Sequence, residues 1–374
     1  MNNEATCVLS LIRTNLTKEK INKIINFAFE NNISISKVLK FDESKIQELF
    51  SFSKEDIQEV LKAKDNLGNS SFLLEDITSK GIYLITVLDE EYPKKLKENL
   101  SIDELPPMLF CKGNTDLLNE KHISIVGSKN ANEISIEFAK NITKKAAKNG
   151  QVVVSGYEKT IDKAIIESTI NNGGRAIILL SQGILLFQIP NEYYEYYTDG
   201  NILILSIYTP NSKWDNNKTI ETEKIKFAFG DEIYIADVKH EDEIWNSTVA
   251  IKNKTENIFV RQPEDTEDTA NLELINKGLK AVNIIGEILE KEKSIEEHII
   301  DILRDRKLKA SQIREELKKK GIEISSQKLT HLIKSIPNIE TEKDSAGNRY
   351  YLKDSPEQSQ ISYENLPLFR EVEK

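Results

Sequence analysis

Two short turns in the middle of the sequence combine glycine, serine and lysine in a way that suits a bound anion. Gly127, Ser128 and Lys129 follow one apolar run, and Ser155 and Gly156 follow the next. Backbone N–H groups at a strand–helix junction favour a phosphate, glycine permits close approach to the backbone, and lysine adds a point charge. We therefore interpret these five residues as candidates for phosphate binding. A tight turn before a surface helix is the alternative for the first group.

The residues just after the second turn carry further candidates. Lys159 could contact a phosphate of a nucleic-acid backbone, although Glu158 would oppose it and ordinary loop chemistry is the alternative. We expect Asp162 to stabilise the N-terminus of its own helix. A run of tyrosines could stack on bases, but a core or interface role is commoner for such a run: Tyr193, Tyr194, Tyr196 and Tyr197.

No constellation of catalytic residues is convincing. The four histidines lack metal-ligand spacing, and the two cysteines, Cys7 and Cys111, cannot form a metal cluster. The sequence contains neither a G-x-G-x-x-G fingerprint after the first core strand nor a Walker A motif. These features predict a protein that is not an enzyme and binds no cofactor and no metal.

Strand and helix patterns alternate from residue 121 onward. Apolar runs at 122–127, 151–156 and 175–181 are separated by amphipathic stretches, among them 133–148. Strands alternating with helices predict a mostly parallel, doubly wound sheet within residues 120–262. Ligands of such sheets bind beyond the carboxyl ends of the strands, and both candidate turns lie at such ends.

The remaining segments predict further domains. Residues 1–78 have the apolar spacing of a small helical domain of the SAM or helix–hairpin–helix type, residues 79–290 form the Rossmann-like core, and residues 291–354 combine three helices and a hairpin in a winged-helix pattern. Residues 355–374 are predicted to be a flexible tail. The expected fold class is thus α/β, with a Rossmann-like sheet between a helical domain and a winged helix.

Composition limits the location and the ligand. The 374 residues include no apolar run long enough to span a bilayer and no secretory signal at the N-terminus, so we expect a cytoplasmic protein without membrane contact. The net charge of −10 argues against a protein that coats nucleic acid non-specifically. A site for a polyanion is expected either in residues 121–190, which carry a net charge of +4, or in residues 291–353, which also carry +4.

Several motifs in order resemble those of one known family. They are G-I-Y-L-I-T-V-L-D-E-E-Y-P-K-K-L at 81–96, L-P-P-M-L-F with a glycine at 105–113, I-S-I-V-G-S-K at 123–129, V-V-V-S-G at 152–156 followed by Ile161-Asp162, and then Gly173-Gly174 and Gly183. In this order and spacing they resemble the DprA/Smf family of single-stranded-DNA-binding recombination proteins. The resemblance covers about residues 80–290, and the order of the three domains also fits.

The resemblance implies a function and one more site residue. It implies a non-enzymatic DNA-binding protein of natural transformation and competence, which forms a homodimer and hands single-stranded DNA to a RecA-type recombinase. The family's Arg-Asn-Arg segment aligns with Thr222-Glu223-Lys224, which adds Lys224 to the candidates for DNA binding. Lys129 stands where the family has arginine.

Two other functions remain open from the sequence. The loop 155–160 differs from the family's glycine-rich loop, and residues 191–290 carry a net charge of −10. The chain could instead be a divergent sensor of a nucleotide or another phosphate ligand, for example in defence against foreign DNA. It could also be a scaffold that has kept the fold and lost the DNA pocket.

Overall fold

The chain divides into two compact units, Met1–Leu289 and Glu290–Lys374. The computed structural model describes residues 3–240, 242–251, 255, 257–289, 294–304, 306–344 and 347–353. The tail predicted for residues 355–374 lies outside these described residues. None of the helices within them has the length and apolar character that crossing a membrane requires.

Six helices form the N-terminal part, and side-chain caps begin several of them. Thr17, Ser34, Asp42 and Ser53 each accept a hydrogen bond from a backbone N–H of the first helical turn. Such caps satisfy donors that have no partner inside the helix. The helices are α1 (Asn3–Ile12), α2 (Lys18–Glu30), α3 (Ile35–Val38), α4 (Glu43–Phe50), α5 (Lys54–Asp65) and α6 (Leu67–Ser79).

A mixed sheet of nine described strands follows. Its spatial order is β1-β2-β6-β5-β4-β3-β7-β8-β9, and every neighbouring pair from β6 to β9 is parallel. The strands are β1 (Tyr83–Thr86), β2 (Met108–Gly113), β3 (His122–Gly127), β4 (Val152–Ser155), β5 (Arg175–Leu180), β6 (Ile202–Ser206), β7 (Glu232–Asp237), β8 (Ile258–Arg261) and β9 (Lys280–Val282). The predicted α/β class with a mostly parallel sheet is confirmed.

The sheet is wider than residues 120–262, where the sequence places it. β1 and β2 add an antiparallel edge, in which Leu84 pairs with Phe110 and Phe110 with Ser206. β9 extends the other edge beside β8. Alternation with helices reveals parallel strands, but an antiparallel edge has no such signal because its strands need no helical crossover.

Helices cover both faces of the sheet. They are α7 (Lys94–Asn99), α8 (Glu133–Lys148), α9 (Thr160–Asn171), α10 (Tyr194–Thr198), α11 (Asn216–Phe229), α12 (Glu243–Ile251) and α13 (Asn271–Asn276). Ile177 and Leu179 of β5 share one buried cluster with Phe229 of α11, whereas Ile178 shares another with Ile166 of α9. This alternation follows from the two-residue period of a strand, which buries β5 on both faces.

The N-terminal helices pack against one face of the sheet. Leu9 and Ile24 belong to the same buried cluster as Ile166 and Ile178. The side-chain amide of Asn22 also donates to the carbonyl oxygen of Leu105 at 2.8 Å. The helices and the sheet therefore share one core within the first unit, and the predicted domain boundary at residue 78 stays a prediction.

The strand order reverses beside β3. From β3 the chain proceeds through β4 and β5 to β6 on one side, and α11 then returns it to β7 on the other side. A crevice opens beyond the carboxyl ends of the strands at such a reversal, and it is the usual ligand site of open α/β sheets. The turns at Gly127 and Gly156 both lie at this edge.

Among its described residues, the second unit contains three helices and a three-stranded antiparallel sheet. Ser294 and Glu297 form a capping box at the start of the first helix. The elements are α14 (Ile295–Leu303), β10 (Leu308–Lys309), α15 (Ala310–Lys319), α16 (Ser326–Ser335), β11 (Ile339–Asp344) and β12 (Gly347–Leu352), with strand order β10-β12-β11. The three helices and the hairpin expected from the sequence are present. Their assignment as a winged helix stays a prediction.

A substitution at Gly183 tests whether the loops after β5 and β6 pack closely against each other. Its amide donates to the carbonyl oxygen of Ser212 at 2.7 Å, and a Cβ at this position would overlap the backbone of Thr209 and Pro210. Gly183→Ala should therefore lower the free energy of unfolding by roughly 1–3 kcal/mol. Urea unfolding followed by far-UV circular dichroism measures it.

Gly68→Ala is the matched control for this substitution. Gly68 lies in α6 with nothing within 4 Å of an added Cβ, so alanine should leave stability unchanged or raise it by up to about 1 kcal/mol. Equal unfolding midpoints for the two variants would show that the contact at Gly183 is not tight.

Candidate functional site

A cavity of about 410 Å³ lies at the carboxyl edge of the sheet. Residues that follow β3, β4, β5 and β6 contribute to its wall. Its cationic side chains are Lys129, Lys159 and Lys163, and its aromatic side chains are Tyr157, Phe187 and Trp214. The cavity thus lies where the sequence places a ligand, and it combines positive charge with aromatic rings.

The first predicted turn reaches the cavity through one side chain. Gly127 is buried, and a Cβ there would overlap the side chain of Ile161, so glycine allows α9 to approach β3 closely. The amide of Ser128 donates to the carbonyl oxygen of Asp237 at 3.0 Å and is already used by the fold. Lys129 is exposed and lines the cavity.

The second predicted turn belongs to a buried ionic network. The Ser155 hydroxyl lies 3.4 Å from a carboxylate oxygen of Asp162, and the Lys159 amide donates to the other oxygen at 3.3 Å. The Lys159 ammonium donates to Glu223 at 2.6 Å and to the carbonyl oxygen of Gly127 at 3.2 Å. Asp162 therefore caps α9, as the sequence indicates, and the charge of Lys159 is already paired.

Lys226 completes this network from α11. Its ammonium is fully buried and lies 2.8 Å from Glu223 and 3.4 Å from Asp162. The group we call the edge network consists of two ammonium and two carboxylate groups: Lys159, Lys226, Asp162 and Glu223. Because these charges balance, the network can be buried without a net charge.

The pKa values of the network follow from this pairing. Burial raises the pKa of Glu223, but the ammonium groups of Lys226 and Lys159 outweigh burial and hold it below its ordinary value. Burial lowers the pKa of Lys226, but Asp162 and Glu223 outweigh burial and hold it above its ordinary value. Both groups are therefore charged at neutral pH, and the network is a fixed feature of the site.

Lys224 lies apart from the cavity. It is exposed on α11 and does not belong to the cavity wall, whereas Glu223 and Lys226 on the same helix are buried. Residues three apart share a helix face, so the spacing of Glu223 and Lys226 is the signal that could have identified the pair from the sequence. The part of Lys224 in DNA binding stays a prediction.

The aromatic side of the cavity was not predicted. Trp214 is 51% exposed, and its indole N–H donates to the Thr219 hydroxyl at 2.9 Å. The rings of Tyr157 and Phe187 meet edge to face with centroids 5.3 Å apart, and the Lys163 ammonium lies 5.4 Å from the centroid of Tyr157. Trp214 immediately precedes the N-cap of α11, a position that gives no sign of a ligand in the sequence.

The run of tyrosines at 193, 194, 196 and 197 does not form a base-stacking surface in the cavity, a role that the sequence left open. Tyr193 is buried in the core beneath the N-terminal helices, and its ring lies 6.2 Å from that of Tyr157. Tyr196 and Tyr197 pack against the same core, while Tyr194 is 59% exposed. No tyrosine of this run belongs to the cavity wall.

The fold and the cavity define a Rossmann-like α/β protein with a cationic and aromatic site at its strand ends. Comparison with known proteins is consistent with that class. The family model for DNA recombination-mediator protein A matches residues 83–293, more than half of the chain. The chain belongs to the DNA recombination-mediator protein A family, as its resemblance to DprA/Smf proteins indicates.

The chain is also similar to individual DprA proteins and to a solved structure of one of them. The chain is 34% identical over 128 residues to DNA processing protein DprA of Streptococcus pneumoniae, and 33% identical over 105 residues to that of Bacillus subtilis. These alignments cover 33% and 28% of this chain, and only 43% and 34% of the two relatives. The crystal structure of the Streptococcus pneumoniae protein superposes with a TM-score of 0.55 at 22% identity, over 73% of this chain and 92% of that one.

Lys226→Met tests the edge network. Methionine keeps much of the length and removes the charge, which leaves two buried carboxylates with one ammonium group. Breaking a buried ionic group in this way should lower the free energy of unfolding by about 3–5 kcal/mol.

Lys224→Met removes the same charge from the exposed side of the same helix and should stay within about 0.5 kcal/mol of the parent. Urea unfolding compares them, and equal losses would contradict the network's role.

Proposed function

We propose that this protein binds single-stranded DNA at the cavity and acts, without catalysis, as a mediator of DNA recombination. One observation carries the proposal: the cavity brings exposed lysines and aromatic rings to the same strand edge. Proteins that bind single strands combine positive charge for the phosphates with aromatic faces on which bases stack. Membership of the recombination-mediator family supports the same function.

Different side chains of the cavity are candidates for base stacking and for phosphate contacts. Trp214 has the most exposed ring of the cavity wall and is the candidate for stacking on a base. Lys129 and Lys163 are exposed and are the candidates for phosphate contacts, because the charge of Lys159 is paired with Glu223. Gly127, Ser128, Ser155 and Gly156 shape the strand-end turns that hold these groups.

A strand longer than a few nucleotides needs more surface than this cavity offers. A volume of about 410 Å³ is in the range of sites for small ligands. Residues 191–290 are strongly acidic, so they do not extend a basic groove. We propose that two protomers place their cavities side by side, as the homodimer implied by the family would allow.

The proposal also includes the biological pathway in which the protein acts. The bound strand would be handed to a RecA-type recombinase in the cytoplasm during natural transformation of competent cells. The name of the matching family supports a role in DNA recombination. Strand-exchange assays, in which single-stranded DNA is covered by a binding protein before the recombinase is added, test whether this chain promotes loading.

Lys129→Ala and Trp214→Ala test the assignment of the cavity. Lys129→Ala should weaken binding to all sequences and make the dependence of log K on log salt shallower by roughly 0.7, the share of one phosphate contact. Trp214→Ala should cost about 1–3 kcal/mol of binding free energy through lost stacking. Fluorescence anisotropy of a labelled oligothymidylate over a salt series measures both.

Two further lysine variants complete that experiment. Lys144→Ala removes an exposed lysine of α8 outside the cavity wall and should leave the salt dependence nearly unchanged. Lys224→Ala tests the remaining residue predicted from the sequence, and we expect a smaller effect than that of Lys129→Ala. If Lys129→Ala and Trp214→Ala both bind like the parent protein, the DNA site lies elsewhere.

The length of the DNA distinguishes a strand binder from a nucleotide sensor. We expect affinity to rise with oligonucleotide length until the strand spans two cavities, and mononucleotides to compete poorly. Titration of labelled oligonucleotides of increasing length, with sedimentation analysis of the complex, measures both affinity and protomer number. The small volume of the cavity, about 410 Å³, favours a sensor as the second candidate. Tight mononucleotide binding without any gain from length would establish that candidate instead, and no binding at all would favour the scaffold.

A further inference from the structure

The carboxylate of Glu158 lies at the meeting point of two strand ends. One of its oxygens accepts a hydrogen bond from the backbone N–H of Ser181 at 3.0 Å. The other accepts from the backbone N–H of Tyr157 at 3.3 Å. Tyr157 follows β4 and Ser181 follows β5, so two neighbouring parallel strands each direct a backbone donor at the same anion.

This arrangement of donors is one that proteins use for phosphate. Successive backbone N–H groups at turns and strand ends form concave sites for anions, because each amide offers a fixed partial positive charge. A carboxylate and a phosphate are both oxygen acceptors with negative charge. Glu158 therefore satisfies, from within the chain, donors that could equally hold a phosphate oxygen of a ligand.

The surroundings of Glu158 provide a second and independent observation. The hydroxyl of Ser181 is fully buried and has no hydrogen-bond partner among the residues that the structure describes. Leu180 and Gln182, its neighbours in the chain, both line the cavity. A buried hydroxyl without a partner is costly, and here it belongs to the residue whose amide holds Glu158.

Gly156 allows this approach to the backbone. A Cβ at Gly156 would lie 2.8 Å from a carboxylate oxygen of Asp162 and 3.0 Å from one of Glu158. The two carboxylates differ, however, in exposure and in the groups they contact. Asp162 is fully buried and paired with Lys226, whereas Glu158 is exposed and lines the cavity. Glu158 can leave its position by rotation of its own side chain, while Asp162 cannot.

We propose that the backbone amides of Tyr157 and Ser181 form a phosphate subsite of the cavity, and that Glu158 occupies it as an internal substitute for the ligand. A phosphate must displace this carboxylate before it can bind. Glu158 then lowers affinity for every phosphate ligand and admits only those whose other contacts outweigh the exchange. The subsite deepens the proposed function, on which its role with DNA rests, and it also makes a claim about phosphate alone.

Three variants separate charge, occupancy and long-range electrostatics. Glu158→Gln removes the charge and keeps an oxygen that can accept from Ser181. Glu158→Ala removes both the charge and the occupant. Glu192→Gln is the matched control, because it removes one negative charge from an exposed residue outside the cavity wall.

Isothermal titration of the full chain with inorganic pyrophosphate tests the subsite without DNA. We expect the dissociation constant to fall roughly fivefold or more for Glu158→Ala, to fall less for Glu158→Gln and to stay unchanged for Glu192→Gln. Pyrophosphate binding by Glu158→Ala that is absent, unchanged or weaker would overturn the subsite. If Glu158→Ala fails to fold, a lack of gain in Glu158→Gln over Glu192→Gln overturns it in the same way.

A parallel titration with an oligothymidylate distinguishes this inference from the proposed function. Tighter pyrophosphate binding by the Glu158 variants, with no DNA binding by any protein, would support the subsite and contradict the DNA function. DNA binding that is the same for the parent and both Glu158 variants would support the DNA function and contradict the subsite. Gains in both titrations support both.

Discussion

The pairing of Glu223 with Lys226 and Lys159 determines how the carboxyl edge of the sheet is built. Glu223 and Lys226 lie on α11, which connects β6 to β7, and Lys159 lies in the turn between β4 and α9. Their contacts therefore join the two halves of a doubly wound sheet beside its reversal of strand order. Such a group is stable only while its charges balance, because an unpaired charge in a dry environment is costly. Lys159, which also lines the cavity, is held in place by this pairing.

The same pairing limits which ligands the cavity can hold. Lys159 and Lys226 would be strong phosphate contacts in isolation, but their charges are neutralised by Glu223 and Asp162. The positive charge that remains for a ligand comes from exposed side chains such as Lys129 and Lys163. Under the proposed function, recognition would then depend more on aromatic contact and on backbone donors than on charge. This agrees with a chain whose overall charge is negative.

Close backbone approaches set the shape of the cavity wall. Gly127 lets α9 lie against β3, and Gly183 lets the loop after β5 lie against the loop that leads to Trp214. Gly156 does the same for two carboxylates. At these places the absence of a side chain brings strand ends together, so that a lysine, an indole ring and backbone amides can face one cavity. In this chain, packing alone accounts for the family's motif glycines at these three positions.

The sequence by itself determined the α/β class, the strands β3, β4 and β5 and the edge at which the cavity lies, because strand and helix periods and turn glycines are local signals. It also placed Lys129 and Lys159 in the turns that follow two strand ends, and both line the cavity, while their part in DNA binding stays a prediction. It did not determine the antiparallel edge formed by β1 and β2, the pairing of Lys159, or the contribution of Trp214. These depend on groups far apart in the chain, and only the tertiary structure brings them together. Whether a lysine is free or neutralised is decided by what packs against it, and no local pattern records that.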